Sequence, residues 1–264
     1  RKLRSGLTIL GIFIAIATIF VLISLSLGLQ AAVQEQFRLF GTDKIFIQPR
    51  GQLAGPGTGG ATQLTIEDVE VINRVRGIKD YTYWTSATGE IEFADGKRFF
   101  AIAGYPLDKG DVFWENGAYK VDEGRFLEDG DIGEVMIGSQ YKYNNVFDKP
   151  VRVRDTITIN GAGFKVKTIL QPIGNPADDR LIYMSIEDFE RITGIDGRID
   201  TIIAQVEDGE NVNEVAERIE KRLFSTRNVD EDTRDFSILT PDQLLESFGA
   251  ILDIITAFLL GVAG

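Results

Sequence analysis

The chain has 264 residues, is 44% hydrophobic and carries a net charge of −12, a composition that suits a sizeable folded core. Its acidity disfavours nucleic-acid phosphates as a partner. Histidine and cysteine are both absent, which excludes Ser-His-Asp and Cys-His catalysis, HExxH zinc sites, His-based pH switching and disulfides.

Residues 7–29 read LTILGIFIAIATIFVLISLSLGL without one charge. As a helix this stretch covers ~34 Å, enough to cross a hydrocarbon core of ~30 Å. A secretory signal peptide shares the basic start, but its apolar region is usually ~7–15 residues. A transmembrane helix is expected. Arg1, Lys2 and Arg4 precede it and form the cytoplasmic flank, which places residues from Gln30 onward outside. Gly11-x-x-x-Ala15 and Ser24-x-x-x-Gly28 offer small-residue rows for helix contact.

Residues 30–40 continue without glycine or proline, and Val33, Phe37 and Phe40 recur at helical spacing. The span is expected to extend as a stalk, with Ala32, Val33, Phe37 and Phe40 as its coupling residues. Residues 43–50 (DKIFIQPR) alternate as a strand. The glycine-rich run 51–60 invites a phosphate-loop reading, but no Gly-Lys-Ser/Thr comes after it, which leaves an exposed loop.

Thr65-Ile-Glu-Asp68 opens a helix as a capping box, with Val69, Ile72, Val75 and Ile78 on its apolar side. Residues 81–93 and 97–105 read as strands joined at Asp95-Gly96, a hairpin signal. From Pro106 to about Asp129 the pattern loosens into acidic, glycine-containing turns. Neither Gly124 nor Gly130 has acidic residues at all of the preceding calcium-loop positions 1, 3 and 5, so solvated turns are expected and no metal. Residues 134–137 form a short strand, and 152–159 and 164–169 alternate around Asn160-Gly-Ala-Gly163 as a second hairpin. A strand over 180–184 leads to a helix capped by Ser185 and ending near Gly194.

Residues 201–206 are a strand. Asn211 starts an amphipathic helix whose buried stripe is Val212, Val215, Ala216, Ile219 and Leu223, with Glu214/Arg218 and Glu217/Lys221 paired on its wet face. A last strand covers 235–239, and Thr240-Pro241-Asp242-Gln243 caps a final helix. From Phe248 that helix turns apolar and reads as a second span cut short at Gly264.

These elements predict an α+β extracytoplasmic domain, a split βαβ-like layer with an inserted β-rich subdomain, flanked by transmembrane helices. The expected divisions are 1–29 for the first span, 30–247 for the outer domain with its insert at about 107–196, and 248–264 for the start of the second span.

Residues 1–11 (RKLRSGLTILG) before an apolar span, with 40–49 (FGTDKIFIQP), resemble the opening of MacB-type ABC transporter permeases, which are related to FtsX- and LolC-type permeases. Gly124-Arg-Phe-Leu127, Val135-Met-Ile-Gly138 and Phe164-Lys-Val166 resemble that family's extracytoplasmic core. Asn211-Val-x-Glu-Val-Ala-Glu-x-Ile219 and Asp235-Phe-Ser-Ile238 resemble its closing part. One departure is Arg154-Asp155, where the family often has a Gly-Asp turn.

The resemblance implies a multi-pass permease of the cell (inner or plasma) membrane, in contact with lipid, with four spans of which the later ones lie beyond this chain. It implies a separate ABC ATPase subunit, a homodimeric or paired permease, and an extracytoplasmic partner protein. It implies efflux or export by mechanotransmission, in which ATP hydrolysis moves stalks and outer domains. The chain itself is then neither an enzyme nor a cofactor binder, and nucleic acid is no partner.

A second reading is the outer sensor domain of a two-span receptor. The residues beyond Gly264 separate the two, since a permease continues into two more spans and a receptor into a charged signalling helix. A third, a membrane-anchored enzyme, would depend on carboxylates such as Asp178 and Asp179, which point apart if they sit side by side on a strand edge.

Overall fold

The computed structural model describes residues 41–51, 62–114 and 119–243, together with positions 13, 16–18, 20–25, 28 and 246. The chain divides into two units, Arg1–Thr42 with Pro241–Gly264, and Asp43–Thr240. In the first unit the described positions before Thr42 are helical up to Gly28, and Phe13, Ile16, Phe20, Val21 and Leu25 expose their apolar side chains. Among the described residues no helix is long and apolar enough to cross a membrane. Most of the first expected span, all of the second and the whole stalk lie outside the described residues.

The large unit begins with β1 (Lys44–Pro49), α1 (Ile66–Asn73) and β2 (Ile78–Phe93), and closes with β9 (Thr201–Val206), α4 (Val212–Arg227) and β10 (Phe236–Leu239). These strands lie in the order β10-β1-β9-β2, every neighbour antiparallel. All six residues of β9 are buried, because the sheet is covered on both faces. Ile202, Ala204 and Val206 share one core with Ile45 and Ile47 of β1, Val69 and Ile72 of α1, and Val215, Ile219 and Leu223 of α4. Burying each such side chain contributes roughly 1.5–3 kcal/mol. Ile203 packs on the opposite side, with Phe46 and Trp84.

The two helices start where their caps dictate. The Thr65 N–H donates to Asp68 Oδ2 at 2.9 Å, one arm of the expected capping box. The Asn211 side chain accepts from the N–H groups of Asn213 (2.9 Å) and Glu214 (3.2 Å). Helix α4 ends on Asn228 in the left-handed conformation (φ 53°). Arg227 of α4 then locks both helices to the sheet end. It donates to the buried Asp68 at 2.6 Å and pairs with Asp235 at 2.9 Å through Nε and 2.7 Å through Nη2.

Between β2 and β9 the chain builds a second body from β3 (Gly96–Tyr105), β5 (Glu134–Ile137), β6 (Thr156–Ile159), β7 (Ala162–Leu170) and β8 (Ile182–Ser185), with short β4 (Val121–Glu123) beside β7. The second half of β2 pairs with β3, β3 with β8, β8 with β5, β5 with β7, β7 with β6, and β6 again with β2. The ring closes as a six-stranded barrel without a free edge. Ile91, Ile102, Val135, Ile137, Ile157, Phe164 and Ile182 belong to its core. Helix α3 (Ile186–Thr193) comes directly after β8, capped by the Ser185 side chain, which accepts from the Asp188 N–H at 3.1 Å.

The β2–β3 turn sits one residue earlier than the Asp95-Gly96 signal suggests. Phe93 pairs with Gly96, and the left-handed residues are Ala94 (φ 47°) and Asp95 (φ 64°). Gly96 serves packing instead, since a Cβ there would meet the Phe147 ring at 2.8 Å. At the β6–β7 turn Asn160 (φ 48°) and Gly161 (φ 81°) hold the two left-handed positions of a two-residue hairpin loop.

Candidate functional site

The stalk residues Ala32, Val33, Phe37 and Phe40 and the flank residues Arg1, Lys2 and Arg4 lie outside the described residues. What the structure describes is the end of the large unit at which the chain enters and leaves it. Strands β1 and β10, the first and last of the large unit, are hydrogen-bonded neighbours, with Phe46 opposite Leu239 and Ile47 opposite Ile238. Running antiparallel, they bring the chain into the unit and out of it at the same end of the sheet.

Two residues just inside this end tie it to the interior. Asp43 accepts from the Val206 N–H through its carbonyl and from the Gln205 amide through its carboxylate, each at 2.8 Å. Lys44 is a lysine only 3% exposed, and its ammonium donates to the carbonyl of Val112. Val112 belongs to α2 (Asp111–Trp114), one turn of helix in the stretch where the sequence shows only loose turns. The first residue of the incoming strand therefore grips an element that comes after β3 of the barrel.

That turn carries Phe113 and Trp114 into an aromatic joint between sheet and barrel. Trp84 of β2 stacks on Phe113 with ring centroids 5.0 Å apart and planes at 11°. Trp114 stacks on Phe126 at 4.9 Å and meets Tyr105, Tyr119 and Tyr183 edge-on at 5.6, 5.1 and 5.9 Å. The sheet supplies Phe46, Trp84 and Ile203; the barrel supplies Ala103, Tyr105, Met136, Leu170 and Tyr183. Burial pushes the Tyr119 phenol up to about 12 and also raises those of Tyr105 and Tyr183 well above the ordinary phenol value. The joint is apolar and performs no proton chemistry at neutral pH. The signal for it was present in the spacing of Phe113, Trp114, Tyr119 and Phe126, four aromatics within an otherwise polar run.

Strand β2 crosses this joint without a break. Its residues 78–84 pair with β9, and residues 85–93 pair with β3. Immediately past the crossing, Ser86 donates its N–H (2.8 Å) and hydroxyl (3.0 Å) to the buried Asp200, which Arg198 also holds at 3.1 Å. One continuous strand and one packed joint thus connect the two bodies.

The carboxylates weighed as catalytic have structural employment. Asp178 and Asp179 lie on a turn of 3-10 helix, Asp178–Arg180, and not on a strand edge. Asp179 accepts from the Ile173 N–H at 2.8 Å, and Asp178 accepts from the Asn175 amide at 2.8 Å. Among the described residues no group of His, Cys, Asp or Glu could hold a metal ion. Gly124 has φ 90°, and a Cβ there would stand 2.1 Å from the Lys167 carbonyl, so its place beside acidic residues reflects backbone packing.

The fold defines the class first: mixed α/β, and shared with the outer domains of transporters. It matches the crystal structure of the periplasmic region of MacB from Actinobacillus actinomycetemcomitans (TM-score 0.63, 19% identity, 80% of this chain and 95% of that one). It also matches the extracellular domain of the noncanonic ABC-type transporter YknZ from Gram-positive bacteria (TM-score 0.55, 15% identity, 74% and 98%). The chain belongs to the MacB-like periplasmic core domain family, whose model matches residues 5–222. It is 34% identical over its whole length to an uncharacterized ABC transporter permease of Methanocaldococcus jannaschii, and 24% identical over 94% of its length to the macrolide export ATP-binding/permease protein MacB of Neisseria gonorrhoeae. The chain spans 64% of the former and 38% of the latter.

Proposed function

We propose that this chain is part of the permease of a MacB-like ABC transporter in the cell membrane, with the Asp43–Thr240 unit outside as its moving part. An ABC ATPase on a partner subunit hydrolyses ATP in the cytoplasm. The chain itself contains no Gly-Lys-Ser/Thr phosphate loop and is not the ATPase. Displacement of the membrane helices passes through the stalk into the outer unit, which performs efflux or export together with a second permease copy and an extracytoplasmic partner.

The observation that supports this reading most is the pairing of β1 with β10. Two membrane segments joined through a hydrogen-bonded strand pair act on one rigid sheet, and a rigid sheet delivers displacement where a flexible linker dissipates it. The test is composition: the full-length membrane protein, purified in mild detergent, is expected to bring an ABC ATPase with it in stoichiometric amount. A preparation that brings a signalling kinase or adaptor instead would favour the receptor reading.

A further inference from the structure

Arg154 holds φ at 79° as the third residue of a turn that the Asp155 N–H closes on the Arg152 carbonyl at 3.1 Å. Glycine is the residue that adopts this conformation without strain. The turn leads into a bulge in which Arg154 and Asp155 together face Val166 of β7. The Arg154 N–H donates to the Val166 carbonyl and the Val166 N–H to the Asp155 carbonyl, each at 2.8 Å. The backbone therefore gains nothing from arginine here; what arginine adds is a charged side chain. Strain of this kind concentrates at functional positions.

That side chain is exposed and stands among other exposed cations. Thr156 pairs with Lys165, and Arg152 opens the turn. Glu92 of β2 lies opposite Thr158, so the β2–β3 turn at Ala94 and Asp95 reaches the same end of the barrel. There Arg98 lays its guanidinium over the Phe147 ring at 6.0 Å, and Lys149 comes two residues after that ring. Arg98, Lys149, Arg152, Arg154 and Lys165 form no ion pair among the described residues, whereas Lys97, Arg125, Lys142 and Lys167 of the same body are all paired with carboxylates. The acids sharing this end are exposed Asp95 and Asp148, and Asp155, whose carboxylate accepts from the Arg152 N–H at 2.8 Å.

A positive end on a chain of net charge −12 fits a negative partner. The chain's own membrane is a poor candidate. Ile78, where the 16-residue β2 begins, lies beside Val206, whose N–H bonds Asp43 at the chain's entry; the positive end is at the other end of that strand. A second copy related by a two-fold axis would set this end against itself, like charge on like. Phe99 faces out beside Lys97 with 61% of its surface exposed, and aromatic residues with arginine are the side chains enriched where proteins meet. We propose that this end of the barrel docks an acidic segment of another protein, with Arg152, Arg154 and Lys165 as its charged contacts. As a chemistry for the extracytoplasmic partner this rests on the function proposed above; the binding itself belongs to the folded unit and is measured without an ATPase.

The test is binding of fluorescently labelled poly-L-glutamate to the full-length protein in phosphatidylcholine nanodiscs, followed by anisotropy. The wild type is expected to bind, more weakly as salt rises. Arg154→Gly relaxes the turn, so a loss of binding in that variant is not a loss of fold; it is expected to weaken binding roughly threefold, and together with Arg152→Ser and Lys165→Gln roughly tenfold or more. Arg76→Ser, Lys79→Gln and Arg222→Gln remove as many exposed cations elsewhere and are expected to leave binding unchanged. No binding by the wild type, or equal losses in the two triple variants, would overturn the proposal. So would tighter, Arg154-dependent binding to phosphatidylglycerol vesicles, which would assign the surface to lipid, or self-association abolished by Arg154→Gly, which would assign it to a second copy.

Discussion

The N–H of Arg154 donates to the carbonyl of Val166 at 2.8 Å while Arg154 itself holds φ at 79°. An L-residue with a side chain costs ~1–2 kcal/mol in the left-handed region. The turn is kept because Asp155 closes it from the other side, its carboxylate accepting from the Arg152 N–H and its carbonyl from the Val166 N–H, each at 2.8 Å. The departure from Gly-Asp in the sequence thus falls on a backbone conformation that suits glycine. Arg154→Gly is expected to raise the unfolding free energy by about 1 kcal/mol, measured by urea denaturation monitored through tryptophan fluorescence. A loss of stability would show that the Arg154 side chain contributes more than its backbone strain removes.

Arg227 offers the opposite case. Its side chain is 13% exposed, and its guanidinium bonds both the buried Asp68 and Asp235. Arg227→Met leaves Asp68 as a buried carboxylate without its cation, which is expected to cost ~3–5 kcal/mol. Lys221→Ala, which breaks an exposed pair at 3.8 Å with Glu217, is expected to cost under ~0.5 kcal/mol. The same urea experiment ranks the two, and equal costs would contradict the assignment of Arg227 as the lock between α1, α4 and the sheet end.

Local signals in the sequence reached local structure. Thr65, Ser185 and Asn211 cap the helices they announce, and residues 201–206 form the strand they spell. What stayed hidden depends on partners distant in the chain. Closure of the barrel needs the parallel pairings of β3 with β8 (Ile102 beside Ile182) and β5 with β7 (Val135 beside Val166), and parallel pairs leave no turn signature between them. The aromatic joint showed in the sequence only as four aromatics in a polar run, and its partners were hidden for the same reason. Phe113 and Trp114 show no period, since one helical turn is too short for one, and their partners Trp84 and Phe46 come from the other body. The grip of Lys44 on Val112 reads from sequence as an ordinary strand-end lysine.

Asp131 sets a pH dependence. Burial alone would raise its carboxyl, but hydrogen bonds from Arg125 and the Glu128 N–H, with the charges of Arg125 and Lys167, hold it down from 3.8 to about 2. A depressed folded-state value means stability that is fully present above the unfolded value and lost as pH falls from there through about 2. The thermal midpoint of the wild type is expected to fall more steeply between pH 5 and pH 2 than that of Asp131→Asn. Parallel curves would remove Asp131 from the acid transition.

The chain has no cysteine, so single cysteines report topology on a silent background. Thr58→Cys, in the glycine-rich run outside, is expected to react with a membrane-impermeant maleimide in intact cells, and Ser5→Cys, beside the basic flank, is not. The reverse pattern would place the large unit in the cytoplasm.

The central claim is that movement reaches the outer unit through a continuous stalk. If the proposed stalk is a continuous helix, proline at Ala32 would remove one internal hydrogen bond and clash with the carbonyl of residue 28, costing ~3 kcal/mol or more and kinking that helix. The cores of sheet and barrel begin at Ile45, beyond that point, so the outer unit is expected to fold. The decisive comparison is transport against ATP turnover in the reconstituted full-length complex. Coupling through the stalk predicts that Ala32→Pro keeps ATP turnover and loses transport. Undiminished transport by a correctly inserted Ala32→Pro complex would contradict it.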